Sequence, residues 1–156
     1  MRKYAVIDLE TTGPKYESGD RIFQFGCTLI DGNEVIEHVS LNINPEKSIP
    51  FEIQLLTGVT NADVATAPFF DEVAMTIFNL LEDRTLVAHN VGFDGPFIIS
   101  ALKDALGIEL EVPLIDTVQL AQICHPTALS YRLSDLTEAL EIRHTQVHTA
   151  GSDARA

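Results

Sequence analysis

Positive charge is what this chain most conspicuously lacks. Lys and Arg together number 10 against 23 Asp and Glu, giving a formal net charge of −13 at neutral pH. A protein that gripped long stretches of phosphate backbone through ion pairs would carry the opposite sign. Clusters of basic and aromatic residues are equally scarce, which argues against tracking along extended single strands on a stacking platform. Either nucleic acid is not the substrate, or it is held chiefly at a metal centre and by parts outside these residues. Cysteine is sparse too. Cys27 and Cys124 stand far apart, in no metal-ligand spacing, and read as two reduced, buried thiols. No run reaches the roughly 18 apolar residues of a membrane-spanning helix. Met1-Arg2-Lys3 leads straight into a strand-like run with no signal-peptide cleavage site, so a cytoplasmic location with no membrane partner is expected. Internal repeats, linkers and low-complexity tracts are absent.

What is present begins with apolar mass. At 156 residues and 46% hydrophobic, the chain can bury one core, and residues 1–156 are read as a single domain. The apolar run Tyr4-Ala5-Val6-Ile7 leads into Asp8-Leu9-Glu10-Thr11-Thr12 and breaks at Gly13-Pro14. Side chains at i and i+2 share a face of a strand, so Asp8 and Glu10 point at one spot. Two like charges at the end of a buried strand are costly unless a cation sits between them. A divalent metal is the natural candidate.

The rest of the pattern is that of an α/β domain. Ile22 to Ile30 and Val35 to Ile43, joined through Asp31-Gly32-Asn33, form a hairpin. Phe51 to Leu56 is a short helix ended by Gly58. Phe70, Val73, Ala74, Ile77, Phe78 and Leu81 follow helical spacing after Pro68, an amphipathic stripe meeting a core. Thr85 to Ala88 is a short buried strand, and Phe93-Asp94-Gly95-Pro96 opens a helix that carries Phe97, Ile98, Ala101, Leu102 and Ala105 and stops at Gly107. Leu114-Ile115 is a strand, Val118 to Cys124 a helix, and Leu133, Leu136 and Leu140 outline another. A sheet begun by a hairpin and continued by parallel crossovers is expected. Thr149 to Ala156 suits a helix start, yet only three residues follow Asp153. So short a helix cannot hold itself in water, so the sequence reads as ending inside a helix of a longer polypeptide, with Asp153 under-determined.

Three further sites join the opening pair. His89-Asn90 closes the strand at Ala88, and Phe93-Asp94 opens the following helix; His148 and Asp153 form a His-x4-Asp pair. A lone Asp in a first helical turn is most often a cap, but Asp94 follows the carboxyl end of a parallel strand, where open α/β sheets gather ligands. Taken in order, Asp-x-Glu-Thr-Thr-Gly, His-Asn-x-x-Phe-Asp and His-x4-Asp resemble the three motifs of the DnaQ-like 3′–5′ exonucleases of the DEDDh subgroup, over essentially the whole chain. Leu56-Thr57-Gly58-Val59-Thr60 and Ile115-Asp116-Thr117 are similar to landmarks of the same family. Ile123-Cys124-His125-Pro126-Thr127 and Ser130-Tyr131-Arg132-Leu133-Ser134 resemble, more narrowly, the exonuclease domain at the N-terminus of bacterial DinG-type helicases.

The resemblance implies a ribonuclease H-like fold with a mixed five-stranded sheet flanked by helices. It implies removal of nucleoside monophosphates from a single-stranded or frayed 3′ end, preferably of DNA, with two Mg²⁺ or Mn²⁺ ions. A helicase region of the same polypeptide would deliver long tracts. Asp8, Glu10 and Asp153 would hold one ion, Asp8 would bridge to the second, and Asp94 would act on the second. His148 would take the proton from the attacking water, since imidazole titrates near the operating pH. Hard oxygen ligands suit both cations. Thr11 and Thr12, with their backbone amides, would bind the terminal nucleotide. Leu9 and Phe93 would pack against bases, and Asn90 would reach a sugar or phosphate. Phe93 reads equally well as core, and Thr12 as a turn residue. Asp116 reads as a helix cap and His89 as a structural donor. His38, His125 and His144 carry no special role, and Tyr131 reads as packing. A short-RNA exoribonuclease and a non-catalytic nucleic-acid-binding module are the rival readings.

Overall fold

A computed structural model describes residues 1–156. Five strands form one mixed sheet in the order β3-β2-β1-β4-β5. β1 (Lys3–Thr11), β2 (Ile22–Asp31) and β3 (Glu34–Asn42) make an antiparallel meander. β4 (Thr85–Ala88) runs parallel to β1, and β5 (Leu114–Asp116) parallel to β4. The ribonuclease H-like arrangement expected from the sequence is the one observed. β1 lies at the centre because it pairs on both sides, which places the carboxyl ends of β1 and β4 together.

Seven α-helices accompany the sheet: α1 (Phe51–Thr57), α2 (Asn61–Ala65), α3 (Phe70–Leu81), α4 (Val91–Leu106), α5 (Thr117–Cys124), α6 (Leu133–Ala139) and α7 (Ala150–Asp153). The main core joins the odd-numbered face of β1, through Ala5, Ile7 and Leu9, to Ala74, Ile77 and Leu81 of α3 and Phe97, Ile98, Ala101 and Leu102 of α4. A smaller cluster unites Phe23, Ile49, Val59 and Val64. The opposite, even-numbered face of β1 is only half covered. That is the face on which Asp8 and Glu10 stand.

Three details depart from the sequence reading. α4 begins at Val91, so the turn carrying Asp94 is already helical; Asn90 precedes it with φ 72°, a conformation Asn tolerates. α2 has no apolar stripe to reveal it; a reciprocal capping box starts it, with Thr60 Oγ1 accepting from Asp63 N–H and Asp63 accepting from Thr60 N–H. Cys27 is buried, and burial pushes its thiol up to about 12, but Cys124 is exposed because α5 buries none of its residues. No helix is long and apolar enough to cross a membrane.

Candidate active site

Three of the four expected carboxylates meet on the open face of the sheet. Asp8 and Glu10, two residues apart on β1, converge with Asp153 of α7, and an oxygen from each lies within 4.8 Å of the others. The fourth, Asp94, is buried in α4 just behind them, where its Oδ1 accepts the Leu9 N–H at 3.1 Å. This bond ties the helix to β1 between the two strand carboxylates. Asp116 Oδ1 accepts from both Asn90 N (3.0 Å) and Val118 N (2.9 Å), so it caps α5 and holds the turn before α4.

Asp153 reaches the strand carboxylates because α7 lies directly against the sheet. Ala150 N–H donates to Gln24 Oε1 at 2.9 Å, and Gln24 stands opposite Glu10 on β2. Gly26, the β2 partner of Asp8, has no side chain because none fits: a Cβ there would overlap the Ala150 carbonyl. On the other side of the contact, a Cβ at Gly151 would meet Ser40 Oγ. Ala150 and Ala154 are buried against the sheet. The expectation that Asp153 is under-determined is thus corrected. Its short helix is held by tertiary contact, which supplies the stability that one helical turn lacks.

The electrostatics are those of a site built for cations. Asp8 is pushed up to about 9, by burial first and then by the charges of Asp94, Glu10 and Asp153. Glu10 is pushed up to about 8 by burial, with Asp153 and Asp94 adding. Asp94 is pushed up to about 7 by burial, although the hydrogen bond from Leu9 opposes the rise. Neither Asp8 nor Glu10 makes an ion pair with a basic side chain. A compact set of hard carboxylate oxygens, with no basic side chain paired to Asp8 or Glu10, fits a divalent cation.

The same shifts predict an inverted pH dependence for the metal-free protein. Above the ordinary carboxylate range, folded Glu10 up to about 8 and Asp8 up to about 9 retain protons that the unfolded chain has released. Stability must then fall as pH rises through that window. Melting in EDTA is expected to drop by roughly 5–10 °C from pH 5 to pH 9, and saturating Mn²⁺ is expected to remove most of the slope. A flat or rising profile in EDTA would contradict the coupled carboxylate cluster.

The expected substrate contacts fare unevenly. Leu9 is buried in the main core, because strand alternation turns it away from the face of Asp8 and Glu10; it is not available to a base. Thr12 is a turn residue. Its N–H donates to the Arg21 carbonyl at 2.9 Å and its Oγ1 accepts from Arg21 N–H at 3.0 Å, so the expected free amide is already spent. Thr11 Oγ1 donates to the Gly13 carbonyl at 2.7 Å. Phe93 is half-buried with its ring centroid 5.5 Å from that of Phe97, and Asn90 is exposed at the start of α4. His89 is structural: Nε2 donates to the Tyr131 carbonyl at 2.7 Å and Nδ1 lies 2.9 Å from Thr117 Oγ1.

The histidines divide in a way the sequence did not suggest. His148 is exposed, on the loop before α7, with φ 65° and no side-chain hydrogen bond. His144 instead is buried against Asp153, with Nε2 2.6 Å from Oδ1. Nine residues separate the pair, a spacing with no local signature, so only the folded loop reveals it.

The sheet thus presents Asp8 and Glu10 at the carboxyl end of β1, and α4 and α7 bring Asp94 and Asp153 to them. The exonuclease family model matches residues 5–156, and the chain belongs to that family. It is 41% identical over 154 residues to the 3′–5′ exonuclease DinG of Bacillus subtilis (strain 168), covering 98% of this chain and 16% of that protein. The chain therefore spans about a sixth of the length of such relatives. Exonuclease X in complex with 5′ overhanging duplex DNA superimposes with a TM-score of 0.76 at 20% identity, covering 99% of this chain and 84% of that one. The nuclease domain of 3′hExo, a DEDDh family member bound to rAMP, gives 0.79 at 15% identity, covering 98% and 86%. These two likenesses establish the fold.

Proposed function

We propose that residues 1–156 are the 3′–5′ exonuclease domain of a longer DinG-type polypeptide and release nucleoside monophosphates from the 3′ end of DNA. The observation that carries this reading is the convergence of Asp8, Glu10 and Asp153 within 4.8 Å, backed by buried Asp94, in a chain 41% identical to a 3′–5′ exonuclease.

Asp8, Glu10 and Asp153 would hold one divalent ion, and Asp8 with Asp94 a second. Two such ions would supply an activated water and charge stabilisation for the scissile phosphate and its leaving oxygen. The chain's residues do the remainder. Asp94 fixes the strand's end through Leu9 N–H. Asp8 and Glu10, destabilised as anions by burial and by the neighbouring carboxylates, draw cations into the site. His148 serves as the general base, the role implied by the resemblance of the three motifs, taken together, to those of the exonuclease family. Phe93 and Asn90, at the exposed start of α4, contact the terminal nucleotide. The acidic surface suits an enzyme that takes in one end and leaves strand delivery to a helicase region beyond these residues.

The neighbour Exonuclease X, in complex with duplex DNA, supports DNA as the first reading, and the DEDDh neighbour bound to rAMP keeps short RNA as the second. The test is release of mononucleotides from matched 5′-labelled DNA and RNA oligonucleotides with Mn²⁺. A ladder shortening from the 3′ end, faster on DNA, is expected. No product from either strand would favour the non-catalytic module, and faster RNA shortening the exoribonuclease.

A further inference from the structure

Asp153 carries the most exacting task in the site and has the weakest local support. Its helix is four residues long, and its backbone is fixed by the Ala150–Gln24 bond and by the close approach to Gly26. Backbone docking does not choose the direction of a side chain. No basic side chain is paired with Asp8 or Glu10 to draw the Asp153 carboxylate inward. Something must hold it inward.

His144 does. Its side chain is only 4% exposed, and Nε2 lies 2.6 Å from Asp153 Oδ1. An ionised carboxylate can only accept, so Nε2 carries the proton and donates it. Nδ1, on the far side of the ring, lies 3.2 Å from Thr137 Oγ1. That hydroxyl is anchored in α6, near the Leu133 carbonyl at 2.9 Å and the Ser134 carbonyl at 3.0 Å. The chain Thr137–His144–Asp153 runs from a helix with a buried face to the site. It engages one carboxylate oxygen and leaves the other for a cation.

We infer that His144 is a positioning residue for the metal site: with Thr137 behind it, it aims the Asp153 carboxylate at Asp8 and Glu10 and thereby sets the affinity for a divalent cation. The inference rests on the proposed metal-dependent activity but assigns His144 a part in it separate from that of His148. Partners that orient a metal ligand from outside its coordination sphere typically contribute about 10–100-fold in metal affinity or activity. His148, exposed and without a hydrogen bond, has no such grip on Asp153.

The test is Mn²⁺ binding without substrate, followed by the electron paramagnetic resonance signal of free Mn²⁺ and by calorimetry, on wild type, His144→Ala, His144→Asn, Thr137→Val, His148→Ala and Asp8→Asn. His144→Ala is expected to weaken Mn²⁺ binding about 10–100-fold. It should raise the Mn²⁺ concentration for half-maximal nuclease activity by the same factor, with kcat at saturating Mn²⁺ within a few-fold of wild type. His144→Asn, which keeps an N–H donor, should recover part of the affinity. Thr137→Val should weaken it several-fold, and His148→Ala should lower kcat and leave Mn²⁺ binding intact. Wild-type Mn²⁺ affinity in His144→Ala, or a loss of kcat that Mn²⁺ does not restore, would overturn the inference. If His144→Ala fails to fold, His144→Asn and Thr137→Val decide it by the same criterion, wild-type affinity in both being the overturning result. Asp8→Asn separates the two levels. If it too binds Mn²⁺ like wild type, the metal-site reading itself falls, whereas its loss beside a normal His144→Ala removes only the role of His144.

Discussion

Asp8→Asn is expected to lower the rate of 3′-end hydrolysis about 10³-fold or more while raising the melting temperature of the metal-free protein at pH 8. The activity loss follows from the place of Asp8 at the centre of the carboxylate group, where a bound cation provides several kcal/mol of transition-state stabilisation at about 1.36 kcal/mol per tenfold. The stability gain follows from the penalty the native aspartate carries. At pH 8 the unfolded chain holds Asp8 ionised, whereas burial and the charges of Asp94, Glu10 and Asp153 push the folded group up to about 9. Folding must therefore take up a proton or tolerate a buried charge, and asparagine escapes both. The gap between variant and wild type should widen as pH rises from 5 to 8, since the penalty grows throughout that interval. Thermal melts in EDTA at the two pH values, beside single-turnover rates with Mn²⁺, check both halves. A variant less stable than wild type at pH 8 would show that Asp8 serves the fold and not a cation.

Gly26→Ala should be nearly as damaging to activity, although Gly26 carries no chemistry. The added methyl would overlap the Ala150 carbonyl, and backbone cannot swing aside as a flexible side chain can. α7 must lift from the sheet and carry Asp153 with it. A displacement of about 1 Å at a reacting centre can cost about 10²-fold in rate. Since β2 keeps its pairing with β1 and β3, far-UV circular dichroism should barely change while Mn²⁺ affinity falls. Wild-type nuclease rates in Gly26→Ala would mean that α7 does not need the contact to place Asp153.

These two substitutions mark where sequence reading succeeds and where it stops. Asp8 was legible because its information is local: an apolar run ending in Asp-x-Glu can only be a strand that offers two carboxylates on one face. Asp94 was legible from its place just after a buried strand, and the amphipathic stripe of α3 from its period. The capping role of Asp116 and the structural role of His89 were likewise visible. Leu9 does not share the face of Asp8 and Glu10: the strand alternation that exposes them buries it. Of the two readings of Thr12, the turn residue is the one the structure shows, through its bonds to Arg21 across a loop.

Gly26 and His144 were invisible for a different reason. A glycine in the middle of an apolar strand has no partner in the sequence, and its meaning lies 124 residues away at Ala150. His144 reads as an ordinary loop histidine until the chain beyond α6 folds back and brings Asp153 to its Nε2. Alone, the sequence determined the fold class and the strand that offers Asp8 and Glu10 on one face, because residue type and short-range periodicity dictate both, whereas Asp94 and Asp153 were singled out by the resemblance of their motifs. Only the tertiary structure decided how Asp153 is held against Asp8 and Glu10. A one-turn helix has too few hydrogen bonds to set its own position, and the glycine gap, the Gln24 cap and the His144 contact exist only after the sheet has formed.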